Sequence, residues 1–144
     1  HEGSRIFAYA ADGRGNHHFY HDANDFPTVL APVWGFVKAD DPVWWTTVDF
    51  AFSAANPGGY YAPGLGSVHT RAPWPLGEVQ ELIAARLRGE TERAAAVMAR
   101  LERAAGWDGA LPEAYHPDTG DVVSWHWFTW PGEAAIRVWS LPWP

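Results

Sequence analysis

Residues 75–105 read PLGEVQELIAARLRGETERAAAVMARLERAA, and this stretch decides the fold class. Leu76, Val79, Leu82, Ile83 and Leu87 recur at the i, i+3, i+4, i+7 spacing of one helix face, which predicts a helix over Pro75–Arg88. Ala94, Val97, Met98, Leu101 and Ala105 do the same for Thr91–Ala105. Only Gly89-Glu90 separates the two helices. Gly89 suits a C-cap and Thr91 an N-cap. A link that short forces an antiparallel helical hairpin.

Working outward, the same pattern recurs on both sides. Upstream, Phe26, Val29, Leu30, Val33, Trp34 and Val37 form a stripe that starts after Asn24 or Asp25, either of which is a fair N-cap. Pro32 lies inside it and predicts a kink. Asp41-Pro42 is an N-cap followed by proline at the first helical position, and the stripe Trp44, Val48, Ala51, Phe52, Ala55 runs from it to Asn56-Pro57-Gly58-Gly59. Downstream, a last helix over about Pro131–Leu141 buries Ala135, Ile136 and Trp139. Residues 1–20 offer a short strand at Arg5–Ala10 and a turn at Asp12–Asn16. The fold class is therefore all-α, built from helical hairpins, with no internal repeat. Trp34, Trp44 and Trp139 are expected on core-facing stripes.

The connections carry the chemistry. Short links alternate with long ones over residues 56–73 and 106–130, and loops of that length are uncommon unless they do something. They hold most of the glycine, proline, histidine and surplus aromatic residues. Glu113 is the leading catalytic candidate. It follows Pro112 and lies near Trp107, Tyr115 and His116, and a carboxyl desolvated among aromatic faces can serve as an acid or a base. The bland alternative is a cap or a surface acid. Asp22 and Asp25 stand three apart at a helix start, which suits either plain N-terminal acids or a grip on vicinal hydroxyls. Gly64-Leu65-Gly66-Ser67-Val68-His69-Thr70 leads into Trp74-Pro75. The two glycines allow close backbone approach, and His69 and Trp74 suit either a pocket wall or plain loop packing. His17, His18 and His21 with Asp22 have a loosely metal-like spacing, but no second spaced pair supports a site, so no metal or cofactor is expected. Ser67 with His69 lacks the elbow of a nucleophilic serine.

These segments, taken in order, resemble a known family. Asp22-Ala23-Asn24 with Pro27 and Leu30, then Gly66-Ser67-Val68-His69-Thr70 with Trp74-Pro75, then Pro112-Glu113-Ala114-Tyr115-His116, then Trp127-Phe128-Thr129-Trp130-Pro131, are similar to glycoside hydrolase family 125. The likeness covers most of residues 20–140. It implies an (α/α)6 toroid and a metal-independent, exo-acting α-mannosidase that inverts the anomeric centre. It places Glu113 on the general base, and Asp22, Asn24, His69 and Trp74 on segments lining the sugar site; His116 and Trp130 join them as candidate sugar contacts. Two departures stand out. The family shows paired acids before Ala-Asn where this chain has His21, and often His-Glu-Ser where this chain has Pro112-Glu113-Ala114. Trp74-Pro75-Leu76-Gly77 and Leu111-Pro112-Glu113 also resemble glucoamylase-like members of the six-hairpin superfamily. A six-hairpin toroid needs more helices than the five read here, and the family's general acid lies upstream of the Asp22 segment. The resemblance thus implies that residues 1–144 are a single partial domain, the C-terminal portion of a glycosidase, inactive by itself.

Composition agrees with a sugar partner. The 144 residues carry ten Trp, seven Phe and five Tyr, no Cys and a formal net charge of −7. A length of 144 suggests one domain, with room for a core. Zero Cys excludes disulfides, thiolate metal sites and cysteine nucleophiles. The excess acid argues against nucleic acid and against an anionic membrane surface, and no apolar run approaches the ~20 residues of a membrane span. Zero Cys and no visible leader favour the cytoplasm, although the chain starts at His1. Aromatic faces and scattered acids suit an oligosaccharide or glycan. They suit a non-catalytic carbohydrate-binding module equally well, although helical hairpins suit such a module less. A helical domain with no ligand is the third reading, marked by a buried Glu113 with no cleft around it.

Overall fold

A computed structural model describes residues 1–140. Five helices dominate it: α1 (Phe26–Leu30), α2 (Pro42–Ala51), α3 (Pro75–Leu87), α4 (Thr91–Ala104) and α5 (Thr129–Ser140). The all-α expectation needs one addition. Three short antiparallel ribbons punctuate the connections: β1 (Ala10–Ala11) with β2 (His17–His18), β3 (Tyr60–Tyr61) with β4 (Gly64–Leu65), and β5 (Ala114–Tyr115) with β6 (Val122–Ser124). The predicted strand at residues 5–10 contributes only its last residue to a ribbon. The expected turn at Asp12–Asn16 closes it, with the Asp12 carboxylate accepting from the Arg14 and Asn16 backbone N–H groups.

α3 is the hub. Eleven consecutive residues, Pro75 to Ala85, are buried, so neighbours surround this helix on every side. It packs against α4, α5, α1 and β4. Gly77 lets it press onto the β3–β4 ribbon: a Cβ there would stand 2.4 Å from the Leu65 carbonyl oxygen. The α3–α4 link is a Schellman turn. Gly89, at φ +71°, donates to Arg86 O, and Glu90 N donates to Ala85 O. The cap assignment shifts by one residue, because Glu90 occupies the N-cap position and Thr91 is already helical. On α2, Asp41 caps as expected, accepting from Val43 N and Trp44 N.

Buried charge ties α3 to α4. Arg100 reaches Glu78 and Glu81, and Arg93 reaches Glu81 and Glu90. Glu78 also accepts from the Tyr115 hydroxyl at 2.6 Å, which fastens β5 to the hub. Burial pushes the Glu78 carboxyl up to about 7 against the pull of Arg100.

Three expectations change. α1 stops at Leu30 rather than running to Val37, because Pro32 has no N–H to continue the ladder; irregular turns follow as far as Gly35. Trp34 lies beyond that break and is 61% exposed. Trp44 is buried, and its indole N–H donates to Thr28 O. On α5 the covered stripe is Pro131, Ala135 and Val138, while Ile136 and Trp139 face outward. The reason is packing: α5 leans on α3 along one narrow line. Leu141, the predicted end of that helix, lies outside the described residues.

A main core of Val29, Trp44, Val48, Val79, Ile83 and Val138 joins the five helices with Val97 and Leu101 of α4. A second, smaller cluster of Ala23, Leu65, Ala72, Trp74, Leu76 and Ala114 lies under the loop end and floors the candidate site.

Candidate active site

Glu113 sits at the entrance to β5, and its carboxylate is held from two sides. Ser124 Oγ, on β6, donates to Oε2 at 2.5 Å, and His69 Nε2 stands 3.5 Å from Oε1. The ribbon makes the first contact possible: Glu113 N–H is shared between the carbonyls of Ser124 and Trp125, which brings residues eleven apart side by side. The Glu113 side chain is 11% exposed and that of His69 56%, so the carboxylate is recessed behind a more open imidazole.

His69 is seated from below. Its Nδ1 lies 2.9 Å from Ser67 Oγ, and its ring meets the Trp74 indole edge-to-face at 5.2 Å. Trp74 is itself buried, donates to Thr70 Oγ1 at 2.7 Å, and packs on Phe128 at 5.9 Å. Trp74 therefore supports His69 and offers no open face of its own. Ser67, His69 and Glu113 line up in the order of a nucleophile triad. The serine is 3% exposed, however, so its hydroxyl cannot meet a substrate; it orients the imidazole instead.

The acid turn 21–25 comes alongside through Ala23 N, which donates to Gly66 O at 3.0 Å. Asp22 Oδ1 accepts from both the backbone and the side-chain amide of Asn24, and Asp22 Oδ2 accepts from the Tyr20 hydroxyl. The Asp25 carboxylate makes no cap for α1. It accepts from Asp22 N at 2.7 Å, and burial, with the Asp22 charge beside it, pushes it up to about 6. Asn24 and Trp130 share an apolar groove of about 590 Å³ with Leu30, Trp34 and Leu76. That groove does not include Glu113 or His69.

The structure thus brings Glu113, His69, Trp74, Asp22 and Asn24 into one connected network and reaches Trp130 through Phe128 at 5.0 Å. It does not bring His116 there. That ring turns to the β5–β6 loop and accepts from Asp118 N. Of the histidines with metal-like spacing, His17 and His18 are exposed on their ribbon while His21 is buried against Gln80 at 3.0 Å. No group of three or more metal-binding side chains gathers among the described residues. None of their helices is long and apolar enough to cross a membrane. Ser124, Gln80 and Asn56 were not legible as site residues. Each acts across a fold contact, and no local motif marks it.

A family model, described as metal-independent α-mannosidase (GH125), matches residues 1–135. The chain belongs to this family. Among solved structures, the GH125 chain is similar to a Streptococcus pneumoniae protein, described within a family of metal-independent α-mannosidases that gives insight into the processing of N-linked glycans, and held in a non-productive substrate complex with α-1,6-mannobiose. The TM-score is 0.79 at 30% identity, covering 95% of this chain and 33% of that one. It is also 27% identical over 135 residues to the meiotically up-regulated gene 157 protein of Schizosaccharomyces pombe, covering 88% of this chain and 25% of that protein. The GH125 chain therefore spans a quarter to a third of the length of these relatives.

Proposed function

We propose that this segment is the C-terminal portion of an inverting, exo-acting α-mannosidase with the (α/α)6 architecture, in which Glu113 is the general base. The observation that carries the reading is the Glu113 carboxylate itself. It is recessed, gripped by Ser124 and His69, and set on a segment that matches the family. In an inverting mechanism one carboxylate deprotonates a water while a carboxylic acid about 6.5–9.5 Å away protonates the leaving oxygen. Ser124 and His69 hold the oxygens of Glu113 in place, and its free lone pairs remain to take the proton of that water. Asp22 and Asn24, locked together by their hydrogen bonds, offer a rigid polar edge for vicinal hydroxyls. His69, the open member of the cluster, contacts the sugar from the other side, and Trp74 seats it. Trp130 supplies an aromatic face at the groove. The general acid belongs to the part of the enzyme that precedes these residues.

The test uses the enzyme at the length of its relatives. Glu113→Gln keeps mannoside binding, read by tryptophan fluorescence, and lowers turnover of an aryl α-mannoside by on the order of 10²–10⁴. Near-wild-type turnover would sink the assignment. NMR of the first-formed product reports the stereochemistry: β-mannose is expected, and α-mannose would rule out inversion.

A further inference from the structure

We propose that Gln80, on the buried face of α3, is a positioning residue that holds the Asp22-Ala23-Asn24 turn for sugar binding. The inference builds on the function proposed above.

The Gln80 carboxamide is fully buried, and both its ends engage the same turn. Its Nε2 is 2.5 Å from Ala23 O, and its Oε1 is 3.0 Å from His21 Nε2. A carbonyl only accepts, so the amide nitrogen must face Ala23 and the amide oxygen must face His21. That oxygen also only accepts, so His21 carries its proton on Nε2 and donates. Burial lowers His21 to about 4, which keeps the ring neutral and Nδ1 bare even with the Asp22 charge beside it.

The rest of the turn is equally committed. Asn56 accepts from His21 N and donates to His21 O. Asp25 takes Asp22 N, Gly66 takes Ala23 N, and Asp22 takes Asn24 N. Ala23 O is left for Gln80. With these backbone groups paired, Asp22 and Asn24 are held in one orientation. Trp74 occupies the N-cap position of the same helix and lies against His69. One rigid rod therefore sets the spacing between the acid turn and the His69–Glu113 pair. Small errors in such spacing are costly to a reaction that depends on orientation.

The experiment measures KM and kcat for an aryl α-mannoside in the full-length enzyme, with amide exchange followed in parallel. Gln80→Leu removes both contacts with an apolar side chain one carbon shorter. It should raise KM by about tenfold or more with a smaller change in kcat. Exchange at Ala23 and Asn24 should quicken while residues 81–85 of α3 stay protected. Gln80→Glu is the conservative variant and covers the case in which Gln80→Leu fails to fold. When protonated, its carboxyl donates to Ala23 O and accepts from His21. When ionised, it repels Ala23 O. Burial raises this carboxyl above the ordinary value of about 4.3, so the variant's KM should fall toward the wild-type value as the pH is lowered toward about 5, beyond any change in the wild type. Wild-type KM in Gln80→Leu, or a Gln80→Glu KM that ignores pH, would overturn the role. If the wild-type enzyme cleaves no α-mannoside, the functional reading fails, and the exchange data still decide Gln80: unchanged exchange at residues 23 and 24 overturns its hold on the turn, and selective quickening sustains it.

Discussion

Two carboxylates near the site are held in opposite ways. Glu113 receives hydrogen bonds from side chains, Ser124 at 2.5 Å and His69 at 3.5 Å, that present it as an acceptor. Asp25 is half-buried and is pushed from its ordinary 3.8 to about 6, first by burial and then by the Asp22 charge, against the pull of the Asp22 N–H. A raised carboxyl holds its proton longer when folded than when unfolded. Its contribution is complete below the unfolded value and is lost as pH rises through the folded one. Asp25→Asn should therefore flatten the fall in stability between about pH 4 and about pH 6, read by urea unfolding across that range. An unchanged pH profile would show that Asp25 is not desolvated as described. At this scale the sequence revealed the reactive residue types but not their partners. Glu113, Asp22 and His69 stand in motifs that a reader can find. Ser124 and Gln80 are ordinary residues until a ribbon register or a helix face delivers them.

The α3–α4 hairpin was legible down to its turn, because periodicity and the Gly89 stop are local signals. Less legible was the charge between the two helices. Glu78, Glu81, Arg93 and Arg100 lie off the apolar stripes of the two helices, yet Glu78 is fully buried. Removing one partner of such a network leaves the other charge buried and uncompensated. Arg100→Met should cost about 3–5 kcal/mol at about pH 9, above the titration of Glu78. The loss should shrink at pH 5, where Glu78, already pushed up to about 7, takes a proton and needs no partner. Equal losses at both pH values in urea unfolding would refute that account. Two other helices departed from their pattern. α1 broke at Pro32, and α5 turned Ile136 and Trp139 outward because only its Pro131–Ala135–Val138 line meets α3.

Across the whole molecule, the tryptophans among the described residues do not sort by helix and loop. Trp44 and Trp74 are buried, one on a helix stripe and one at a helix start. Trp34 and Trp139, expected in the core, are exposed along with Trp107, Trp125, Trp127 and Trp130. The chain also spans only a quarter to a third of its relatives' length. If the general acid lies in the remainder, these 144 residues by themselves should release no mannose from an aryl α-mannoside. Detectable release would show that a second catalytic carboxyl is already present. Binding of mannosides by the same chain, with no turnover at any length, would instead favour the carbohydrate-binding reading.

The sequence by itself determined the helices, the hairpin, the long aromatic loops and the segment that holds Glu113. Each of these is written in spacings of three to four residues or in short motifs. Only the tertiary structure decided which side chains meet: Ser124 with Glu113 across a ribbon, Gln80 with His21 and Ala23 across a helix face, and Glu78 with Arg100 and Tyr115 inside the hub. Those contacts join residues eleven to 59 positions apart. No local pattern encodes such pairs, because they form only when burial of the apolar faces has fixed where each element lies.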